Sequence, residues 1–447
     1  VKDYRSVADA VAEQIRTGLL RPGDQLPPQR EFAQQYGIAG STAARVYREL
    51  ARRGLTLGEV GRGTFVRAES SHTSAAPALT EPAGSRIDLE LNYPVVPEQT
   101  ALLAEGFAGL MRPDVLGDAL RPIGAAGLPA VRESAADLLA RGGWRPEPER
   151  VLFAGNGRQA IAAVITALVP PGGRLGVETL TYPIVKAVAA RLGITLVPLA
   201  MDASGLVPEA VEEAHHSDPL NAVYIQPVLH NPLSLTMPPE RVARVAEALL
   251  RLGIPAIEDT VWAFLRDELP PLAALAPERT VLVDSLSKRI APGLTLGFVV
   301  APGPLVADID TSLRSGGWTP MRFALESAHR WQQDGIVRAL VKAKQREALV
   351  RQDLAARHLA GFEVRSDPCS FHCWWQLPRS WRSDTFVAAA ARHGIGVAPA
   401  TAFTVGRNNA PNAIRLGLAS PHAEVLVQAL DTLAGIARST PDDLVTD

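Results

Sequence analysis

Lys288 lies in Ser285-Leu286-Ser287-Lys288-Arg289-Ile290-Ala291-Pro292-Gly293, directly after the apolar run Thr280-Val281-Leu282-Val283. Lysine is scarce here: the others are Lys2, Lys186, Lys342 and Lys344, and arginine carries the rest of the basic charge. A deprotonated lysine amine condenses with an aldehyde to a Schiff base, which a guanidinium does not do. An amine at a strand end between small hydroxyls suggests a lysine kept for its chemistry. Taken alone, it reads equally well as a solvated loop lysine.

Other residues with chemical potential follow short apolar runs. Gly155-Asn156-Gly157-Arg158-Gln159 opens a helix after Val151-Leu152-Phe153, so its amides could cradle a phosphate. Tyr182-Pro183 offers an aromatic face for stacking, and Asn231-Pro232 follows Tyr224-Ile225-Gln226-Pro227. Glu258-Asp259 ends another run, and Arg415 stands in Asn412-Ala413-Ile414-Arg415-Leu416-Gly417. Singly, each has a plainer reading: Asp259 as a helix cap, Tyr182 as core packing, Arg415 as a surface salt bridge. Cys369 and Cys373 are the only cysteines, which fits a reducing cytoplasm. With His372 they make an incomplete metal set, so packed thiols and no metal are expected.

These residues need elements to position them. From Ile87 onward, helical patterns alternate with short apolar strands: 151–153, 174–177, 222–225, 256–257, 281–283 and 297–300. That alternation predicts a mostly parallel α/β sheet, with ligands at its carboxyl edge. Short strands at 371–377 and 414–418 among helices predict a smaller α+β lobe. No apolar stretch approaches the roughly 20 residues of a membrane span, and the N-terminus reads as helix rather than signal peptide.

Residues 1–67 are organised differently. They carry 11 Lys/Arg against 7 Asp/Glu, a net +4, which leaves −6 for the rest of a chain of net charge −2. A basic module on an acidic body suggests a polyanion partner at one end. Val7, Ala8, Val11, Ile15 and Leu19 keep helical spacing up to Pro22-Gly23. Pro28 can open a second helix that Gly37 ends, and residues 40–53 form a third. Leu55-Thr56-Leu57 and Thr64-Phe65-Val66 flank Gly61-Arg62-Gly63, a hairpin with a basic tip. Together these describe a winged helix-turn-helix. Residues 68–87, rich in Ala, Ser, Thr, Pro and Glu, read as a flexible linker, leaving 88–447 as the body.

Residues 4–66 resemble the GntR-type DNA-binding domain, through Arg21-Pro22-Gly23-Asp24-Gln25-Leu26-Pro27, Arg30, Thr42, Arg45, Tyr47, Leu50 and Gly61-Arg62-Gly63-Thr64-Phe65-Val66. The resemblance implies that Arg30, Thr42 and Arg45 meet double-stranded operator DNA near the recognition helix, with Arg62 and Gly63 bringing the wing to the minor groove. Ala39 and Gly40 depart from the usual Ser-Arg of that family.

Residues from about Ile87 to Ile436 resemble fold-type I pyridoxal-phosphate proteins of the class I/II aminotransferase family. The resemblance implies a cofactor-binding set. Lys288 would form the Schiff base to pyridoxal 5'-phosphate and Asp259 would pair with the pyridine nitrogen. Asn231 would bond the phenolic oxygen and Tyr182 would stack on the ring. Gly157, Arg158, Ser285 and Ser287 would take the phosphate, and Arg415 an effector's carboxylate. Three departures bear on activity: Trp262 near the place of a tyrosine, Thr295 in place of a phosphate-binding arginine, and Leu233-Ser234 in place of Thr-Gly. The combination is the architecture of the MocR subfamily of bacterial regulators. It implies a homodimer that senses an amino-acid or B6-vitamer effector. The alternative is an active aminotransferase carrying an accessory DNA-binding domain, against which Trp262 and Thr295 argue.

Overall fold

The computed structural model describes residues 4–16, 19–21, 23–52, 55–59, 63–66, 87–406 and 410–440. At the N-terminus, helix α1 (Tyr4–Arg16) turns Val7, Ala8, Val11 and Ile15 inward, as its spacing predicts. Helix α2 (Gln29–Tyr36) follows Pro28 at φ −51, and Gly37 ends it in the left-handed region at φ 63. Helix α3 (Gly40–Arg52) buries Ala43, Val46, Tyr47 and Leu50 against Phe32 and Val66. With no hydroxyl at position 39, the Ala39 carbonyl alone receives the first amides, those of Thr42 and Ala43.

Strand β1 (Gln25–Leu26) pairs antiparallel with β3 (Gly63–Val66), which pairs with β2 (Thr56–Glu59). The expected hairpin is therefore the larger part of a three-stranded sheet. Two residues are too few for a sequence period, so β1 left no signature of its own. Residues 60–62, the expected basic tip with Arg62, lie outside the described residues. So does the expected linker, apart from Ile87, which already pairs with Ile395.

The body is built on seven strands: β4 (Val151–Ala154), β5 (Arg174–Glu178), β6 (Thr195–Leu199), β7 (Ala222–Ile225), β8 (Ala256–Asp259), β9 (Thr280–Ser285) and β10 (Gly297–Val300). Their order is β4-β10-β9-β8-β7-β5-β6, parallel throughout except for β10, which runs against both neighbours. Strands buried on both faces read as continuous apolar runs, and six of the seven were legible that way. The edge strand β6 was not: only Leu199 of its five residues is buried, and it contains Pro198, which an edge tolerates.

The smaller lobe holds β11 (Glu363–Ser366), β12 (His372–Gln376), β13 (Ala398–Pro399) and β14 (Ala413–Gly417), in the antiparallel order β11-β12-β14-β13. A 23-residue helix, Ile336–His358, leads from the large sheet into this lobe. No helix among the described residues is long and apolar enough to cross a membrane.

Candidate functional site: a buried lysine at the sheet's carboxyl edge

Asp259 and Ser285 end β8 and β9, while Gly157, Tyr182 and Asn231 stand in the segments that follow β4, β5 and β7. After β4, Asn156 caps the helix Gly157–Leu168, its side-chain oxygen accepting the Gln159 amide at 3.0 Å. A Cβ on Gly157 would stand 3.0 Å from both Cβ and Oγ of Ser285, tighter than most real contacts, so glycine lets this helix N-terminus approach the end of β9. Ser285 Oγ in turn accepts the Ser287 amide at 3.2 Å and starts the one-turn helix Leu286–Arg289, which carries Lys288.

Asp259, at the end of β8, is 4 % exposed. The Tyr224 hydroxyl donates to its Oδ2 at 2.5 Å, the Gln226 amide donates to the same oxygen at 3.0 Å, and the Val261 N–H donates to Oδ1 at 3.1 Å. Burial pushes the Asp259 carboxyl up and these three donors hold it down. The carboxylate is thus oriented from one side and keeps acceptor capacity on Oδ1.

Lys288 is half-buried. Its Nζ donates to the Asn92 carbonyl at 2.6 Å and lies 4.0 Å from the centre of the Tyr93 ring and 5.2 Å from that of Trp262. Desolvation, then the positive charges of Arg415, Arg158 and Lys344, hold its amine well below the ordinary lysine range, with Asp259 pulling the other way. That is the direction a nucleophilic amine needs at neutral pH.

Arg415 crosses from β14 to this edge. Its Nη1 donates to Asn231 Oδ1 at 3.2 Å, its Nη2 donates to the Glu90 carbonyl, and its guanidinium lies 5.3 Å from the Phe403 ring. Its Nε is buried without a partner, as is the side-chain amide nitrogen of Asn92. Burial lowers Arg415 to about 10, so it remains a cation at neutral pH.

Tyr182 packs against the large apolar core and is coupled to Arg158, whose Nη2 donates to the Tyr93 hydroxyl at 3.4 Å. Lys288, Asp259, Asn231, Tyr182, Arg158, Gly157, Ser285 and Arg415 thus converge on one edge. Ser287 is occupied differently, its Oγ 2.7 Å from Thr295 Oγ1. Arg289 does not replace the missing arginine at 295: its guanidinium pairs with Asp284 and is 3 % exposed.

These residues fit pyridoxal phosphate: a helix N-terminus beside hydroxyls, an amine, a carboxylate with spare acceptor capacity, and a guanidinium with an unmatched N–H. When bound, that group would supply an aldehyde for an amine and a ring that withdraws electrons. Sequence reasoning missed Glu90, Asn92 and Tyr93, which follow the linker and reach the site only through the fold. It also missed Tyr224 and Gln226, although a glutamine after an apolar strand is a usable signal. Trp262 is a buried wall, its ring centroid 5.9 Å from that of His372. Cys373 is buried in β12 and its thiol is pushed up to about 12, which makes it inert.

On the DNA-binding module, Arg30 and Arg45 are exposed on α2 and α3 and Thr42 is half-buried. Gly63 has φ 119, a conformation that calls for glycine, and it packs against the end of the Gln25 side chain.

Residues 118–433 match the family of class I and II aminotransferases, and residues 3–66 match the gntR family of bacterial regulatory proteins. The chain belongs to the MocR type of GntR-family transcriptional regulators. This regulator is 29% identical to the uncharacterized HTH-type transcriptional regulator YdeF of Bacillus subtilis (strain 168), over 99% of its own length and 95% of the relative's. It is 30% identical to the HTH-type pyridoxine biosynthesis transcriptional regulator PdxR of Corynebacterium glutamicum, over 67% of each chain. Its body superposes on an archaeal alanine:glyoxylate aminotransferase with a TM-score of 0.72 at 21% identity, covering 79% of this chain and 90% of that one.

Proposed function

We propose that this regulator binds an operator through its winged helix and holds pyridoxal phosphate through Lys288, so that arrival of a small effector alters DNA affinity. The observation that carries this reading is the half-buried Lys288 amine, held below the ordinary lysine range at the same sheet edge as the oriented Asp259 carboxylate, in a chain that also bears a DNA-binding module.

The residues would divide the work. Lys288 holds the aldehyde carbon, and Asp259 keeps a proton at the pyridine nitrogen. Asn231 donates through its amide to the phenolic oxygen, while Gly157, Arg158 and Ser285 meet the phosphate, which Ser287 reaches only by giving up its contact with Thr295. Arg415 receives a carboxylate by a charge-assisted bond. The effector would be an amino acid, held through Arg415, or a B6 vitamer, the chemistry named in the description of the Corynebacterium glutamicum relative. A shift in DNA affinity requires the effector to bind two arrangements of the protein unequally. The exposed Met111, Leu120 and Met321 support a homodimer.

The test is a visible absorption band in the purified or reconstituted protein that borohydride removes, together with operator binding measured with and without the effector. A colourless protein that ignores added pyridoxal phosphate overturns the reading. The presence of both Lys288 and Asp259 at this edge favours a second reading, a working aminotransferase. Steady-state transamination at ordinary enzyme rates, with no effector response in DNA binding, would establish it instead.

A further inference from the structure

Lys344 is fully buried, yet among the described residues it forms no ion pair. It stands on the helix Ile336–His358, α4, with its ammonium aimed at the turn that carries Lys288. Nζ donates to the carbonyl of Lys288 itself at 3.0 Å and to the Ile290 carbonyl at 2.6 Å. These carbonyls close the C-terminal end of the turn Leu286–Arg289, where partial negative charge gathers and a cation is favoured. An ammonium without a counter-ion is costly to bury, and burial lowers Lys344 to about 7. A methionine would fill similar volume without that cost, so stability alone does not account for a lysine here.

The far end of the same helix grips the small lobe. Arg351 Nη1 donates to the carbonyls of Leu418 and Pro421, the former one residue beyond the strand that holds Arg415. Gln352 Nε2 donates to the carbonyls of Ser370 at 2.8 Å and His372 at 3.0 Å. One helix therefore holds the backbone of the reactive lysine at one point and the strands flanking the carboxylate-binding arginine at another.

We propose that Lys344 is a positioning residue for Lys288: it fixes the main chain from which Lys288 springs and ties that main chain to the small lobe through α4. The inference rests on the reading that Lys288 bonds an aldehyde. The charged groups facing Lys288 are Arg415, Arg158, Lys344 and Asp259, and Lys344 is the one among them that contacts the Lys288 main chain.

The experiment uses the full chain and pyridoxal phosphate as probe. The fraction of Lys288 trapped by borohydride is read by mass spectrometry across pH for the wild type, Lys344→Met and Lys344→Gln, with thermal melts to certify folding. Losing the ammonium frees the Lys288 main chain, so the trapped fraction falls several-fold at each pH in both variants. Glutamine keeps a donor and so serves if the methionine variant does not fold. A folded variant that traps Lys288 as the wild type does overturns this inference alone. A wild-type chain that traps nothing at Lys288 overturns the proposed function as well.

Discussion

Arg415 Nη1 donates to Asn231 Oδ1 at 3.2 Å, which joins a strand of the small lobe to the loop after β7. A carboxylate arriving at Arg415 must share or displace that bond, and the partnerless Nε gives it a first foothold. Replacing Arg415 with glutamine removes the charge-assisted contact, worth about 1.5–3 kcal/mol. The expected result is an amino-acid effector weakened roughly 10–100-fold in operator-binding titrations, with pyridoxal phosphate still bound by absorbance. An unchanged effector response would remove Arg415 from the site.

Lys288→Ala should abolish the borohydride-sensitive absorption and the effector response while leaving basal operator affinity unchanged. The reason is separation: the lysine lies at the sheet edge of the body, whereas Arg30 and Arg45 stand on the winged helix. A variant that still answers the effector normally would refute sensing through this amine.

On the DNA side, Arg45→Ala should weaken binding across operator variants and reduce the slope of log affinity against log salt by about one, the signature of one lost phosphate contact. If affinity falls at only one base position with the slope unchanged, Arg45 reads a base edge instead.

Acid should destabilise the small lobe through His372. Its Nε2 must donate to the His230 carbonyl at 3.1 Å, so Nδ1 is the acceptor and Ser370 Oγ donates to it at 3.1 Å. Burial lowers His372 to about 3, against an ordinary 6.5. The unfolded chain therefore binds the extra proton between about pH 6.5 and 3, and stability falls with pH in that window by up to about 1.4 kcal/mol per unit. Urea melts of the wild type and His372→Gln should differ in slope there, with the variant flatter. Parallel curves would contradict the assignment.

Ser234 occupies the left-handed region at φ 54, with Leu229 nearby at φ 49. Its hydroxyl donates to the His372 carbonyl at 2.6 Å and lies 3.0 Å from Ser370 Oγ, which offsets the backbone strain. Ser234→Ala keeps the strain and loses the bond to the His372 carbonyl, so it should cost about 1–3 kcal/mol. Ser234→Gly loses the same bond but relieves the strain, and should cost less. A melt in which alanine matches or exceeds glycine would show that the conformation carries no penalty.

Much of this protein was legible in the residues themselves. Lys288, Asp259, Asn231 and Arg415 stand beside apolar runs, and a strand buried on both faces reveals itself by composition alone. The winged helix was equally readable, because helical spacing, Pro28 and Gly37 act locally. What failed to show were elements too short or too exposed to carry a period, namely β1 and the edge strand β6.

Sequence by itself determined which groups could do chemistry and which element each would end, since those choices are local. Tertiary structure decided how Lys288 is surrounded. Asn92 and Tyr93 come to it from 196 and 195 positions away, Lys344 grips its carbonyl from 56 away, and Arg289 is turned from the phosphate site to Asp284. Contacts at such separations arise from packing and burial. The same desolvation that lowers the Lys288 amine exists only once the chain has closed around it.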